Sequence, residues 1–600
     1  MRSNPLSQED GQFTEELDTA FYGIDNRREP GLLRTTRGFG PSNQEVTSPG
    51  LLADAMNVRL EDGNVRRRGG VFPPVDLNAP AFGNLLGSGT WQDPDESEWL
   101  VALTADSTWL TASNRSPREI PLPAGVSLTT PLEVIQTFDK LLLLRGADYP
   151  PLEWSGDYAQ PWQVVQRTLG EDSPAFLEAL PPTAWGVVSQ DRLFFPVDGD
   201  TLGWSDLLDY TRTDSALARE RFNQGESDNI TAAAPYQGNR LIVFKQRCIY
   251  FMDGLTPAMD AYRVDKLPVN IGCVARRTVQ AVGGELYFLG QGGLYSLGQT
   301  INNGLRGEQV PLSWPVQGWI DRIQWTHVAG AVAAFDSLRN LYQLAVPIDG
   351  STVNNALLSY DTVAQQWVSL DRFDRPTGAA LGVPGGDVLD PARPWEIRPR
   401  TDLLAGINHL HLHPVFGRST MVMATGLARF FVLGEAEYDT VAGVRYEPLM
   451  RVRTRGYLLG TLHLKQVREI TPTLATQDAE LTLVAYTDGV SEAQPLLVAQ
   501  RRSRFGSAMW NQADYDPENL LNDFARPDRQ DYTWKVTDRP QLFSGITLGL
   551  LQDWQEPCPV RARDCRWLAL ELICTTGRVT LRALTASGPP PPHRMRPATG

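Results

Sequence analysis

Asn239-Arg240-Leu241-Ile242-Val243-Phe244, followed after a short polar break by Cys248-Ile249-Tyr250-Phe251, decides the fold. The first segment opens on a polar turn pair and then runs apolar without alternation, as a strand covered on both faces must. The same couple recurs along the chain. Glu98-Trp99-Leu100-Val101-Ala102-Leu103, Asp139-Lys140-Leu141-Leu142-Leu143-Leu144 and Asp191-Arg192-Leu193-Phe194-Phe195 precede it; Gly284-Glu285-Leu286-Tyr287-Phe288-Leu289 and Arg339-Asn340-Leu341-Tyr342-Gln343-Leu344 follow. Successive openings are 41, 52, 48, 45 and 55 residues apart. Each is succeeded by a second strand, as at Thr108-Trp109-Leu110, Leu152-Glu153-Trp154, Leu202-Gly203-Trp204, Gly293-Leu294-Tyr295-Ser296-Leu297 and Leu357-Leu358-Ser359-Tyr360. A repeat of about 40 to 55 residues holding several strands is the size of a four-stranded propeller blade. A β-solenoid needs a shorter period, and two unrelated sandwiches would not keep this register. Six repeats are visible, and Met421-Val422-Met423-Ala424 with Ala428-Arg429-Phe430-Phe431-Val432-Leu433 offers another.

The sequence therefore predicts an all-β chain: a multi-bladed β-propeller of six to eight blades over residues 76–440, flanked by two other regions. Residues 1–75 are rich in Gly, Pro, Asn, Asp and Arg and lack a sustained period, so they read as an extended N-terminal arm. Its apolar residues (Phe13, Leu17, Phe21, Tyr22, Leu51, Leu52, Met56, Val58) are spaced to lie along another surface. Residues 441–600 lose the blade period but keep strands: Leu481-Thr482-Leu483-Val484-Ala485-Tyr486 ends at the Asp488-Gly489 turn signal, and Leu568 to Cys574 alternates. They read as a β-sandwich-like C-terminal domain with a long insertion near 501–545 and a Pro-rich tail from Gly588. The best helix candidate is 214–222.

With 42% hydrophobic and 21% charged residues, the 600-residue chain is neither disordered nor collagen-like. No run reaches the roughly 18 apolar residues of a membrane span, and residues 1–10 lack a signal-peptide core, which predicts assembly in a cytoplasm. Five cysteines without a C-x-x-C couple argue against a disulfide framework or a zinc ribbon. The net charge of −15 disfavours tight, generic duplex binding. Only five of the 55 basic residues are lysines, a usage that suits large polar interfaces or reflects a GC-rich genome.

Candidate chemistry is sparse. His409, His411 and His413 alternate along a strand and would stand in a row about 7 Å apart, a weak metal candidate beside the plainer reading of solvent-facing imidazoles. There is no Gly-x-Ser-x-Gly elbow, His-Glu-x-x-His helix or Walker loop, so no catalytic residue and no cofactor is expected. Glycoside hydrolysis needs only two suitably spaced carboxylates, and Glu153, Asp206 and Asp209 lie near tryptophans. Asp198-Gly199-Asp200 reads as a tight turn or part of a calcium loop. Arg66-Arg67-Arg68-Gly69-Gly70, the densest cationic run, could dock acidic partner surfaces, line a DNA path, or form a solvated turn.

Residues 22–30 (Tyr22-Gly23-Ile24-Asp25-Asn26-Arg27-Arg28-Glu29-Pro30), with the stretch from Pro49 to Gly70, resemble the opening of tail nozzle proteins of short-tailed bacteriophages, also called tail tubular protein B-like proteins. The likeness rests on Asn57-Val58-Arg59, on the Glu61-Asp62-Gly63 turn and on the arginine-glycine exit at 66–70. Asn229 to Lys245 is similar to a blade of such virion proteins, and the two segments together span roughly a tenth of the chain. The resemblance implies a homohexameric ring, propellers outside and a β-rich platform around a central DNA channel, attached below tail adaptor ring proteins. It also implies tail fibres or spikes as partners, and viral DNA passing without sequence-specific binding.

The expected function is accordingly that of a non-enzymatic structural virion protein, assembled in the bacterial host cytoplasm, that retains and then releases the genome. The alternatives are a propeller glycosidase or glycan-binding tail component at the host surface, and another tail or head-completion protein. Asn26, Arg27, Asn57, Arg59, Arg66, Arg67 and Arg68 are the expected assembly residues, and the arm should pack on the C-terminal domain or a neighbouring subunit. A DNA conduit needs weak phosphate contacts, so the channel should be acidic or neutral. Asp514, Asp516, Glu518, Asp523 and Asp528 in the long insertion are candidates for its gate.

Overall fold

Residues 230–266 form a four-stranded antiparallel meander in the computed structural model: Ile230–Tyr236, Arg240–Lys245, Ile249–Asp253 and Arg263–Lys266. The second strand shows why these sequences run apolar without alternating. Leu241 and Val243 pack with Phe194 and Trp204 on one side, while Ile242 and Phe244 pack with Leu286 and Phe288 on the other. Successive side chains point to opposite faces, and both faces meet a neighbouring blade.

The structure describes residues 13–588, except 27–49, 73–84, 166–176, 302–309, 377–399, 413–419, 458–465, 500–551 and shorter stretches between. Within that range seven blades follow one another. Their first strands are Gly87–Gln92, Glu133–Thr137, Val187–Ser189, Ile230–Tyr236, Gln280–Val282, Val332–Asp336 and Ile407–Leu412. These first strands neighbour one another around the ring, so they are the innermost strands, numbered here as blades 1 to 7. The ring closes where Leu100 and Ala102 of blade 1 pack with Phe430 and Val432 of blade 7. Blade 7 takes its outermost strand, Gly70–Phe72, from far upstream in the chain. Between blades 1 and 2, Trp91, Trp99, Trp154 and Trp162 are fully buried, with Trp91 and Trp154 edge to face at 5.4 Å. Each indole contributes on the order of 5 kcal/mol of gross transfer free energy.

The propeller comprises Val71–Val363 and Leu404–Gly434; Met1–Gly70, Ala364–Leu403 and Glu435–Gly600 form a second unit. This corrects the continuous 76–440 boundary, since 364–403 groups with the second unit. The helix expected over 214–222 is also corrected, since Arg219–Arg221 is the outer strand of blade 3, paired with Thr201–Trp204. Its residues are held by ladder bonds to a neighbour that local propensity does not sense.

Blade 4 meets blade 5 at Gly272, where an added Cβ would lie 2.0 Å from the Lys245 carbonyl oxygen and 2.7 Å from the Gln246 carbonyl carbon. Both obstacles are backbone. Gly272→Ala is expected to lower propeller stability by about 2–3 kcal/mol, read as a shifted denaturant midpoint at unchanged m-value; an unshifted midpoint would show that the backbone yields freely.

In the second unit two very long strands, Glu469–Thr487 and Leu568–Gly588, pair antiparallel along their length. Their register slips between Gln477 and Leu481, and the bulges there bend the ribbon. Leu483, Leu570 and Leu572 from one half then face Leu474, Leu581 and Leu584 from the other around a small internal void. This is the sandwich-like core that the sequence predicts. The arm is built into it: Phe13–Asp18 and Asn64–Arg67 both pair with Leu568–Gly588, and Leu51–Met56 pairs with Met450–Thr454. The Asp62-Gly63 turn, with φ of 53° and 75°, closes the hairpin Val58–Glu61/Asn64–Arg67 as a two-residue connection.

Candidate functional site

Two polar clusters stand out, one in each unit. In the propeller, Cys273-Val274-Ala275-Arg276-Arg277-Thr278 leads into the innermost strand of blade 5 through a single 3-10 turn, Arg276–Thr278. Thr278 pins that turn. Its hydroxyl donates to the Ala275 carbonyl at 2.6 Å and accepts from the Leu289 N–H at 3.0 Å, while the buried Tyr342 hydroxyl donates to the Thr278 carbonyl at 2.7 Å. The two arginines are thereby aimed across the ring. Arg276 pairs with Glu133 of blade 2 and lies 5.7 Å from the Trp185 ring, just ahead of blade 3. Arg277 donates to the Leu132 carbonyl at 2.6 Å and to the Asn408 carbonyl of blade 7 at 3.1 Å.

Each blade begins on its innermost strand and adds the strands that follow outward in order, blade 7 taking only its last from upstream, so the innermost strands run in one direction. Ser88, Glu133, Trp185 and Asn408 all sit at or just before the start of theirs. A pair of arginines reaching from blade 5 to blades 2, 3 and 7 must cross the axis, and it plugs one mouth of the propeller. His409 and His411 complete the plug. Their rings stack 5.9 Å apart at 11°, and His411 Nε2 lies 2.6 Å from Ser88 Oγ of blade 1. His409 is buried with Nδ1 unpartnered. Burial, then the neighbouring Arg277 charge, pushes the His409 imidazole well below its usual range. His411 keeps an accessible edge, yet burial and Arg277 push it down to about 4. Burial and Arg277 also push Arg276 down to about 9, which leaves it charged at neutral pH.

The histidine row is therefore not solvent-facing, as one sequence reading held. His411 is engaged by Ser88, and no metal-binding group of residues occurs among the described residues. His413 lies outside the described residues.

The second cluster gathers the arm signature. Asn57, at φ 56°, is buried. Its Nδ2 donates to the Leu449 carbonyl at 2.8 Å, and its Oδ1 accepts from Arg68 Nε at 2.9 Å and the Arg372 N–H at 2.8 Å. Arg68 grips Asp439 with both terminal nitrogens, each at 2.8 Å, donates to the Gly69 and Arg372 carbonyls, and covers the Phe373 ring at 4.5 Å. Arg67 pairs with Glu447 at 3.1 Å, with both side chains almost fully buried. Nearby, Asp371 is buried and accepts from Ser369 Oγ, and burial raises its carboxyl above the usual range. Gly70 follows, where a Cβ would lie 2.0 Å from the Tyr438 carbonyl oxygen.

This corrects the reading of Arg66-Arg67-Arg68 as a basic surface for partners or DNA. Arg67 and Arg68 are spent on acids of their own unit, and only Arg66 is exposed, paired with Glu61 at 3.2 Å. Arg59 stands opposite Arg66 in the hairpin, half-buried. Asn26 is half-buried just after Asp25, whose N–H donates to the Leu52 carbonyl; Arg27 falls outside the described residues. So do Asp514, Asp516, Glu518, Asp523 and Asp528.

The carboxylates weighed for glycoside chemistry have structural partners. Glu153 accepts from Tyr210 at 2.5 Å and faces Lys140 at 3.7 Å, while Asp209 caps Thr211 and pairs with Arg212. Asp206 and Asp209 are joined by an isolated bridge, and Trp154 and Trp204 belong to the core. In Asp198-Gly199-Asp200, Asp198 Oδ1 accepts the Asp200 N–H, and the Asp200 carboxylate takes Arg221 and Asn223. That is a tight turn. All five cysteines are buried. Sequence reading missed Arg276 and Arg277; the one signal was a pair of adjacent arginines directly ahead of an innermost strand.

The two clusters define the class: a seven-bladed β-propeller with one axial mouth plugged, joined to a bent β unit that incorporates its own N-terminal arm. No protein-family model matches the chain, and no curated protein matches it. Among solved structures it is similar to YCF48 bound to a D1 peptide, with TM-score 0.33, 10% identity, and coverage of 63% of this chain and 98% of that one. It is also similar to the computationally designed Ika8 protein (TM-score 0.31, 10% identity, 64% and 96% covered) and to the N-terminal domain of Nup159 (0.29, 10%, 63% and 98%). Likenesses this distant carry no functional argument, and the propeller is stated on its own strand order. No helix among the described residues is long and apolar enough to cross a membrane.

Proposed function

We propose that the chain is a structural virion protein, the tail nozzle of a short-tailed bacteriophage, acting as a ring of identical copies, six by the family resemblance, around the path of the exiting genome. The supporting observation is the position of the segment that carries the resemblance. Asn57, the Asp62-Gly63 turn and Arg67-Arg68-Gly69-Gly70 run through the core of the second unit and lead directly into the outer strand of blade 7. Such residues specify architecture through buried hydrogen bonds, which is what an assembly component requires. In this reading the chain works without chemical turnover. Its partners are further copies of itself, the adaptor ring of the tail, tail fibres or spikes, and DNA sliding through a lumen that does not hold phosphates. It is assembled in the bacterial host and resides in the virion.

Electron microscopy of the purified full-length protein, combined with mass measurement in solution, tests this. Closed rings of six copies with an open centre are expected. A strictly monomeric chain, both alone and mixed with its adaptor proteins, would sink the proposal.

A further inference from the structure

We propose that the plugged mouth of the propeller is a proton-operated latch, closed while His409 and His411 are neutral and loosened when they take up protons. The inference rests on the propeller alone and is independent of ring assembly.

The plug already holds two guanidiniums, Arg276 and Arg277, from the turn ahead of blade 5. Facing them is one carboxylate among the described residues, Glu133 at the start of blade 2, and it is committed to Arg276. Leu132 and Asn408 offer backbone carbonyls to Arg277, which bring no negative charge. The innermost strand of blade 7 then adds two imidazoles within reach of the Arg277 charge. A proton on either ring brings a third positive charge into a site with one negative charge. His409 Nδ1 has no acceptor waiting for it, so the proton gains no hydrogen bond in return. A second proton would place two cationic rings face to face at 5.9 Å.

His411 also bridges blade 7 to blade 1 through Ser88, at the seam where the ring closes. Repulsion is therefore delivered to the least continuous joint of the propeller. Both folded-state affinities for the proton are lower than those of a free imidazole, which titrates near pH 6.5. The contribution of neutral His411 is complete above about pH 6.5 and is lost as pH falls towards about 4, and His409, held well below its usual range, acts in the same direction. The moving parts are the Arg276–Thr278 turn and the strand Ile407–Leu412.

The experiment uses the intact chain. Imidazole C2-hydrogen exchange followed by mass spectrometry titrates each histidine of the unaltered protein, and backbone amide exchange reads the opening of segments 273–282 and 407–412. His411 is expected to titrate at about pH 4 and His409 well below the usual imidazole range. Amide exchange in the two segments, corrected for its intrinsic pH dependence, should rise at least about tenfold between pH ~7 and pH ~4. In His409→Gln/His411→Gln the rise should shrink to within about twofold. Wild-type histidines titrating at about pH 6 or above would overturn the proposal even if the double variant fails to fold. So would a wild-type plug whose exchange ignores acid, or a folded double variant that opens with acid as the wild type does.

Discussion

Arg68→Met is expected to destabilise the arm-containing unit by about 3–5 kcal/mol, the usual cost of removing one member of a buried, hydrogen-bonded ion pair. Asp439 is left with its side chain 3% exposed and without its bidentate partner. Asn57 Oδ1 and the Arg372 carbonyl each lose a donor as well. Arg68→Lys should recover little, because a point charge cannot serve Asp439, Asn57 and Arg372 from one planar fork. Arg68→Met/Asp439→Leu should recover most of the loss, since it removes both charges together. Denaturant unfolding monitored in the full-length chain, with the propeller transition as internal reference, measures all three. A loss below about 1 kcal/mol for Arg68→Met would mean that the pair is far better solvated than its burial implies.

Removing residues 1–70 should have a larger effect. The sequence alone leads to a mild expectation, a propeller that stays folded in a chain that no longer forms rings. The structure sharpens it. The strand Leu568–Gly588 loses the ladders from both Phe13–Asp18 and Asn64–Arg67, and Met450–Thr454 loses that from Leu51–Met56. Buried Leu52, Ala55, Val58 and Val65 go with them. Asp18, which accepts from the Gly50 N–H, Arg455 and the Tyr457 hydroxyl, is deleted too, leaving Arg455 and Tyr457 buried without it. Leu52, Val58 and Val65 alone contribute roughly 5–8 kcal/mol, comparable with the whole stability of a typical domain. Residues 435–600 should therefore lose their cooperative transition while the propeller retains its own. Calorimetry shows this as one transition replacing two, and amide exchange locates it. Continued protection of 568–588 in the truncated chain would reduce the arm to an accessory.

How much was legible in the sequence depended on how local the cause was. The apolar runs at Leu141–Leu144 and Leu241–Phe244 announced strands covered on both faces, because alternate residues serve different blades: Leu141 and Leu143 face blade 1 and Leu142 faces blade 3. The Asp62-Gly63 turn was equally readable, since its positive φ values favour these residues whatever surrounds them. The stretch 214–222 misled because its helical spacing is a local signal, overruled by pairing with Thr201–Trp204. The arginine run misled in the opposite way. Charge density suggested a surface, which holds for Arg66 alone, while the fates of Arg67 and Arg68 depend on acids hundreds of positions away, 371 residues in the case of Asp439.

The sequence by itself determined the all-β class, the blade repeat and the separate character of the two chain ends, because these follow from periodicity and turn chemistry acting over a few residues. Only the tertiary structure decided that the described residues form seven blades, that a strand at Gly70–Phe72 completes the last of them, and that 364–403 groups with the second unit. It alone decided that Arg276, Arg277, His409 and His411 meet on the axis. Such features are closures: they depend on where distant segments return, and a buried charge is tolerated only where the returning chain supplies its partner.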